Sequence, residues 1–189
     1  MSDQLTDLDP APAPGPEVEQ GRVRRWRRSL LQALVIVLVF AAVGAAAGWL
    51  WNHLYDAPRG IAYQKRWLGL DEKDYRDQFS GTALYAIIGG IAALVLGTAL
   101  SYVLDRDELL TLAAVAVGAG AAAWLMYVVG VHLGNPDPDV VARTAADRTP
   151  IPGDLRLARW TVGLVWPAGG VLGCALVFFL TSKRSTAPS

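Results

Sequence analysis

The sequence predicts an all-α membrane protein. The fold is a transmembrane four-helix bundle running up-down-up-down, with short extracytoplasmic helices in the two outer connections. Three observations predict it. Of 189 residues, 53% are hydrophobic and only 18% charged. The apolar residues gather in four blocks of about 20, each long enough to cross the hydrocarbon core of a bilayer. None of these blocks contains Asp, Glu, Lys or Arg. This patterning excludes an ordinary soluble domain, a disordered chain and a disulfide-rich module. The 17 basic and 17 acidic residues cancel, which leaves no electrostatic footprint for nucleic acid. The first partner implied is the lipid bilayer.

The elements follow in order. Residues 1–28 form a tail ahead of the membrane domain. Its first part, 1–21, is acidic and Pro-rich, and is expected to be disordered because it has too little apolar surface to offset ordering entropy. Residues 22–28, RVRRWRR, place five Arg within seven residues directly before the first span. Arg24, Arg25, Arg27 and Arg28 are the topogenic candidates. Span 1 covers about 30–51. Arg27-Arg28-Ser29-Leu30-Leu31 also fits a twin-arginine export signal, with Ala45-Ala46-Ala47 as a cleavage site. The apolar run exceeds a signal core and three more spans follow, so an uncleaved anchor is the better reading.

The first outer connection, 52–81, is polar. Within it, 71–80 reads as a short amphipathic helix capped by Asp71, with Tyr75 and Phe79 on one face. Glu72 with Arg76, and Lys73 with Asp77, are i,i+4 charge pairs. Span 2 covers about 82–104. The link 105–108 is so short that spans 2 and 3 are expected to be adjacent and antiparallel, a helical hairpin. Span 3 covers about 109–133. In the connection 134–158, Asp137 followed by Pro138 is an N-cap and first-turn pattern, predicting a short helix near 138–147. Pro150, Pro152 and Gly153 then predict an extended or turning path. Span 4 covers about 160–180, closing a membrane domain of 29–181. Residues 182–189 form a short cytoplasmic tail.

Four spans place both termini on one side. Lys and Arg divide almost evenly between the two sides, so the density of Arg before span 1 decides for cytoplasmic termini. Trp49, Trp51, Tyr55, Phe79, Tyr85, Trp160 and Trp166 would then form a belt at the outer interface. Arg outnumbers Lys 14 to 3, and Ala and Gly are abundant, as in proteins from GC-rich genomes. The expected location is a bacterial plasma membrane.

Small residues recur at helical spacing. Lipid gives helices no hydrophobic reason to associate, so close backbone approach must do it, and small residues permit that approach. The packing candidates are Gly44, Gly48, Gly90, Gly97, Gly118, Gly169 and Gly173. Pro167 removes a backbone donor inside span 4 and is expected to kink it. Apolar helix faces leave room for a membrane-protein partner or a homo-oligomer. The lack of charge at membrane depth argues against a proton relay or an ion-coupled pump within one copy.

Chemistry is sparse. His53 and His132 are the only histidines, both expected at the outer boundary near Asp137 and Asp139. Two His and a carboxylate can hold a divalent metal, so these four are weak metal candidates. Their spacing fits no zinc signature, and the prolines around Asp137 and Asp139 make a turn the simpler account. Cys174, the one cysteine, is expected to be an inert packing residue. No nucleophile elbow, P-loop, CxxC or HExxH occurs. No catalytic or cofactor-binding residue is predicted, and the chain does not read as an enzyme.

The Arg-rich approach to span 1 is followed by an acidic segment closing on Phe before a Gly-rich span 2, DEKDYRDQFSGTALYAIIGG. A small-residue span 3 and Trp166-Pro167 in span 4 complete the pattern. Over about 22–180 this resembles a family of actinobacterial four-span membrane proteins. The resemblance implies architecture and bacterial origin, and brings no activity and no functional residue. The leading expectation is a non-enzymatic subunit, scaffold or assembly factor of a cell-envelope system. A transport or channel component working as an oligomer is the alternative, and a membrane enzyme with an outer-face metal site is the third.

Overall fold

The computed structural model describes residues 16–70, 72–103, 108–157 and 159–184, with side chains described over 26–70, 80–102, 109–157 and 159–180. Helix α1 runs Pro16–Leu54, 39 residues. It absorbs the Arg-rich segment and, over 16–21, begins within the tail that composition predicts to be disordered. The sequence accommodates this: proline suits the first helical position, and Glu17 and Glu19 sit at the positive end of the helix dipole. Strands β1, Arg59–Tyr63, and β2, Arg66–Gly69, follow. Then come α2, Glu72–Val103, and α3, Glu108–Leu133. A short α4, Pro138–Ala142, and β3, Pro150–Pro152, occupy the last connection. A 3₁₀ turn at Trp160–Leu164 leads into α5, Val165–Arg184. Four helical stretches are long and apolar enough to cross a membrane.

Two expectations about the helices need correction. The amphipathic helix expected as a separate element over 71–80 is not separate. The backbone of 72–80 is the opening of α2, continuous with the apolar span. Its cap Asp71 and the side chains of its charge pairs lie outside the described residues. The hairpin of spans 2 and 3 is also not what packs. Helix α1 packs chiefly on α3, and α2 chiefly on α5, while α2 and α3 barely meet. A short link brings helix ends together but leaves the faces free to choose partners. The choice follows where backbones can come closest.

Glycines mark those places. A Cβ added at Gly44 would stand 2.5 Å from the Cα of Ala122, and one at Gly48 would stand 2.5 Å from the carbonyl of Met126. One at Gly97 would run into the carbonyl of Gly170, and one at Gly173 would stand 2.6 Å from the carbonyl of Leu94. Helices this close gain dispersion contact along their whole backbone, which is the available drive in lipid. The remaining core is aromatic and aliphatic. Ile36, Phe40, Trp51, Tyr85, Val115, Met126 and Trp166 are fully buried or nearly so. Trp51, Tyr85 and Trp166 therefore do not form part of an interfacial belt, contrary to the sequence reading. They fill the interior, because the glycines opposite Trp51 and Trp166, Gly130 and Gly89, leave room for an indole.

The first and third connections form one small cap. The three strands make an antiparallel sheet in the order β2-β1-β3, so the first and third connections share a sheet. The sequence reading contains no strands, and the first connection carries a hairpin over 59–69, ahead of the helical segment. The hairpin turns on Gln64 and Lys65, with φ of 48° and 64°. Gln64 N donates to the Asp147 carboxylate at 3.0 Å, which fixes the turn from outside. Both free edges of the sheet are blocked. Pro150 and Pro152 flank β3, and on β2 the Trp67 N–H donates to the Asp139 carboxylate. Beneath the sheet, Ala62, Ala142 and Ile151 form a second small core with Trp67 packed against it.

Candidate functional site

A cleft of about 480 Å³ opens between α3, the 3₁₀ turn and the start of α5. Its walls are Trp124 and Tyr127 from α3, and Trp160 and Leu164 from the 3₁₀ turn. Leu157 and Pro167 also line it, and the buried Tyr85 from α2 lies at its floor. Tyr127 and Gly120 are two helical turns apart, so the cleft is roughly 10 Å tall. Its walls reach the outside of the bundle: Trp124 is 62% and Trp160 is 81% exposed.

Two glycines make the space. Elsewhere in the bundle a glycine allows a helix to approach. At Gly120 an added Cβ would meet nothing within 4 Å, and at Gly163 it would meet only Ala123 and Tyr85 at ordinary contact distance. At these positions the missing side chain is volume. The floor is satisfied, because the Tyr85 hydroxyl donates to the carbonyl of Ala123 at 2.8 Å. Pro167 stands in the first turn of α5. A helix start has backbone donors without partners, so a proline there interrupts no established ladder. The chain changes from 3₁₀ to α helix at Val165, two residues ahead of the proline.

Other polar groups are spent inside the protein. Trp51 Nε1 donates to the Gly81 carbonyl at 2.8 Å, which ties the end of α1 to the start of the second span. Its ring meets Tyr85 edge-on at 5.1 Å. Ser101 Oγ donates to Cys174 Sγ at 2.9 Å, so the cysteine sits in a polar contact rather than wholly apolar surroundings. Trp166 Nε1 is the exception among the described side chains. It is buried without a hydrogen-bond partner, a cost of about 1–3 kcal/mol. At the cap, Arg156 donates to Asp137 at 2.7 Å and also pairs with Asp154. The hydrogen bond from Arg156 holds the Asp137 carboxyl below the ordinary aspartate value, helped by the backbone N–H of Asp139.

The structure disperses the metal candidates. His53 stacks on Trp49 at 5.4 Å. His132 is exposed at the end of α3. Asp137 caps α4 and holds Arg156, and Asp139 holds the edge of β2. Among the described residues, no three His, Cys, Asp or Glu side chains gather to hold a metal ion. Of the packing candidates, Gly44 and Gly48 seat α1 on α3, and Gly118 faces Phe40. Gly90, Gly97, Gly169 and Gly173 all lie in the α2/α5 contact. Arg27 and Arg28 are exposed, while Arg24 and Arg25 lie on α1 with side chains outside the described residues. The sequence reading missed the cleft. Its one signal was Gly120, a glycine two positions beyond Gly118 and so off the packing stripe.

Fold and site together define a class: a small helical protein with four helices fit to cross a membrane, and a compact sheet-containing cap at one end. No known protein family, curated protein or solved structure matches the chain.

Proposed function

We propose that this chain is a non-enzymatic subunit, scaffold or assembly factor of a bacterial envelope system. Its four spans run up-down-up-down, with both termini cytoplasmic. The observation that carries the reading is how the bundle spends its polar and small residues. Glycines hold α1 to α3 and α2 to α5, and the buried hydroxyls and Trp51 indole bond to other parts of the chain. No charged side chain lies in the apolar spans to drive transport. The shared sheet supports the alternating path, since it joins the first and third connections at one end. The Arg-dense approach to α1 supports cytoplasmic termini. The resemblance to actinobacterial four-span proteins belongs to the same reading and supports architecture and origin.

The test is crosslinking in native membranes, purification in mild detergent and mass spectrometry of what accompanies the protein. A reproducible, near-stoichiometric membrane protein is the expected result. Recovery of the chain alone, or only with copies of itself, overturns the subunit reading. Single cysteines introduced at Lys65 and Ser185 test topology. Labelling by an impermeant maleimide from outside is expected at the first site and absent at the second.

A further inference from the structure

We propose that the cleft between α3 and α5 is a binding site for one acyl chain of an anionic phospholipid, with the phosphate held by Arg159. The proposal rests on the membrane reading above, and goes beyond it by naming a ligand class and a place.

Position is the first argument. The cleft starts at the boundary of the fourth apolar span, which begins at Trp160, and runs inward to Gly120 and Pro167. A lipid chain entering there lies along the span with its headgroup at the surface. Lining is the second. Leu157, Leu164, Pro167 and the faces of Trp124, Tyr127 and Trp160 offer an apolar slot with amphipathic rings. Tyr and Trp prefer this headgroup level. Shape is the third. Gly120 and Gly163 leave open the space that ordinary side chains would fill, although no close helix contact requires glycine at either position.

Charge commits the site to one kind of lipid. Arg159 immediately precedes Trp160, is exposed, and its side chain makes no hydrogen bond or ion pair with the described residues. Arg156, three residues earlier, is held by Asp137 and Asp154. The two arginines therefore have different roles: one locks the cap, and the other lies in sequence between Leu157 and Trp160, two residues that line the slot. A guanidinium at the membrane surface attracts an anionic headgroup, and a phosphate oxygen pair matches its fork geometry. A zwitterionic lipid offers the same chain without the net charge.

The experiment uses the full chain reconstituted in phosphatidylcholine vesicles. Part of the lipid is replaced by brominated phosphatidylglycerol or, in a parallel series, by brominated phosphatidylcholine. Bromine quenches tryptophan on contact, and the difference between the native chain and Trp124→Phe isolates the cleft signal. Brominated phosphatidylglycerol is expected to quench Trp124 at about fivefold lower mole fraction, the effect of one arginine at an anionic surface. Arg159→Gln is expected to abolish that preference while leaving quenching by the zwitterionic lipid unchanged. Gly120→Leu fills the slot and is expected to reduce quenching by both. Equal quenching by the two lipids overturns the proposal, as does a preference that survives Arg159→Gln. Failure of the protein to enter vesicles in carbonate-resistant form would instead overturn the membrane reading, so the two failures are distinguishable.

Discussion

The two tight helix pairs solve one problem differently. In α2/α5 both surfaces are small through the middle of the contact, with Trp166 and Val165 over Gly89 and Gly90 at one end. Gly97 lies on the backbone of Gly170, and Gly173 lies between Leu94 and Thr98. Backbone meets backbone, and Ser101 and Cys174 add a polar contact at the same interface. In α1/α3 the close rungs at Gly44 and Gly48 alternate with knobs. Phe40 sits over Gly118 and Trp51 sits over Gly130. A backbone cannot yield without moving a whole helix, whereas a side chain can turn. The first pair is therefore rigid around Gly97 and Gly173, and the second alternates rigid rungs with places that give.

The largest effect should come from testing that contrast directly. Gly97→Ala puts a methyl group into the Gly170 carbonyl, and should destabilise by about 3 kcal/mol, the upper end for overpacking. Gly118→Ala places its Cβ 3.1 Å from the Cβ of Phe40, and should cost about 1 kcal/mol, the lower end for overpacking, because the neighbour has to give by only a few tenths of an ångström. Thermal midpoints in mild detergent compare the two. Equal losses would remove the distinction between the pairs.

Next in size is the joint between the pairs. Trp51, carried by α1, donates to Gly81 and meets Tyr85, both on α2. Trp51→Phe keeps a ring but loses the donor and part of the packing, for about 2 kcal/mol. The same melts read it. A loss as small as that of Gly118→Ala would mean that the pairs are held together elsewhere.

How much of this was legible in the sequence differs by level. The spans were, since each carries its own apolar length. The pairing was not, because small residues line every span and only three-dimensional fit decides which stripe meets which. The cap was hidden for another reason. Its strands have five, four and three residues, and Pro150 and Pro152 argue against a strand when read alone. Its turn lacks the Asn-Gly that marks a two-residue hairpin. The site was hidden because a cleft is made by what is missing at Gly120 and Gly163, and a missing side chain has no sequence pattern. The helix N-cap at Asp137 was legible, since the rule is local: its carboxylate accepts from Asp139 N at 3.0 Å, as expected of a cap.

The hairpin turn gives a gain rather than a loss. Gln64 and Lys65 both hold positive φ, which costs a residue with a Cβ about 1 kcal/mol or more. Lys65→Gly relieves that strain, and should raise stability by up to about 1 kcal/mol, offset in part by glycine's unfolded-state entropy. Because the cap is a separate small core, the gain should appear as slower proteolysis of the connection at 59–70 more than as a shift in the bundle's melting. A shift of the whole melt instead would show cap and bundle unfolding as one unit, and would weaken the contrast between rigid pair, yielding pair and appended cap.

The smallest effect distinguishes the cap from both pairs, because the bundle has no charge to titrate at depth and the cap does. The folded state favours the Asp137 carboxylate, chiefly through the hydrogen bond from Arg156. Its folded pKa is therefore below its unfolded one, and its contribution is full above the unfolded value. The contribution is lost as pH falls through the lowered value. Asp137 also caps α4 and, through Arg156, holds the segment leading to Asp154. Acid should therefore loosen the cap while the helix pairs stay associated. Hydrogen exchange across 137–157, followed from neutral pH to below the carboxylate range, should rise in acid while exchange in the spans stays flat. Asp137→Asn should raise exchange at neutral pH and flatten the acid response, because an amide still caps the helix but no longer pairs with the guanidinium. If the spans exchange in step with the cap, the Arg156 contact reaches further into the bundle than its exposed position suggests.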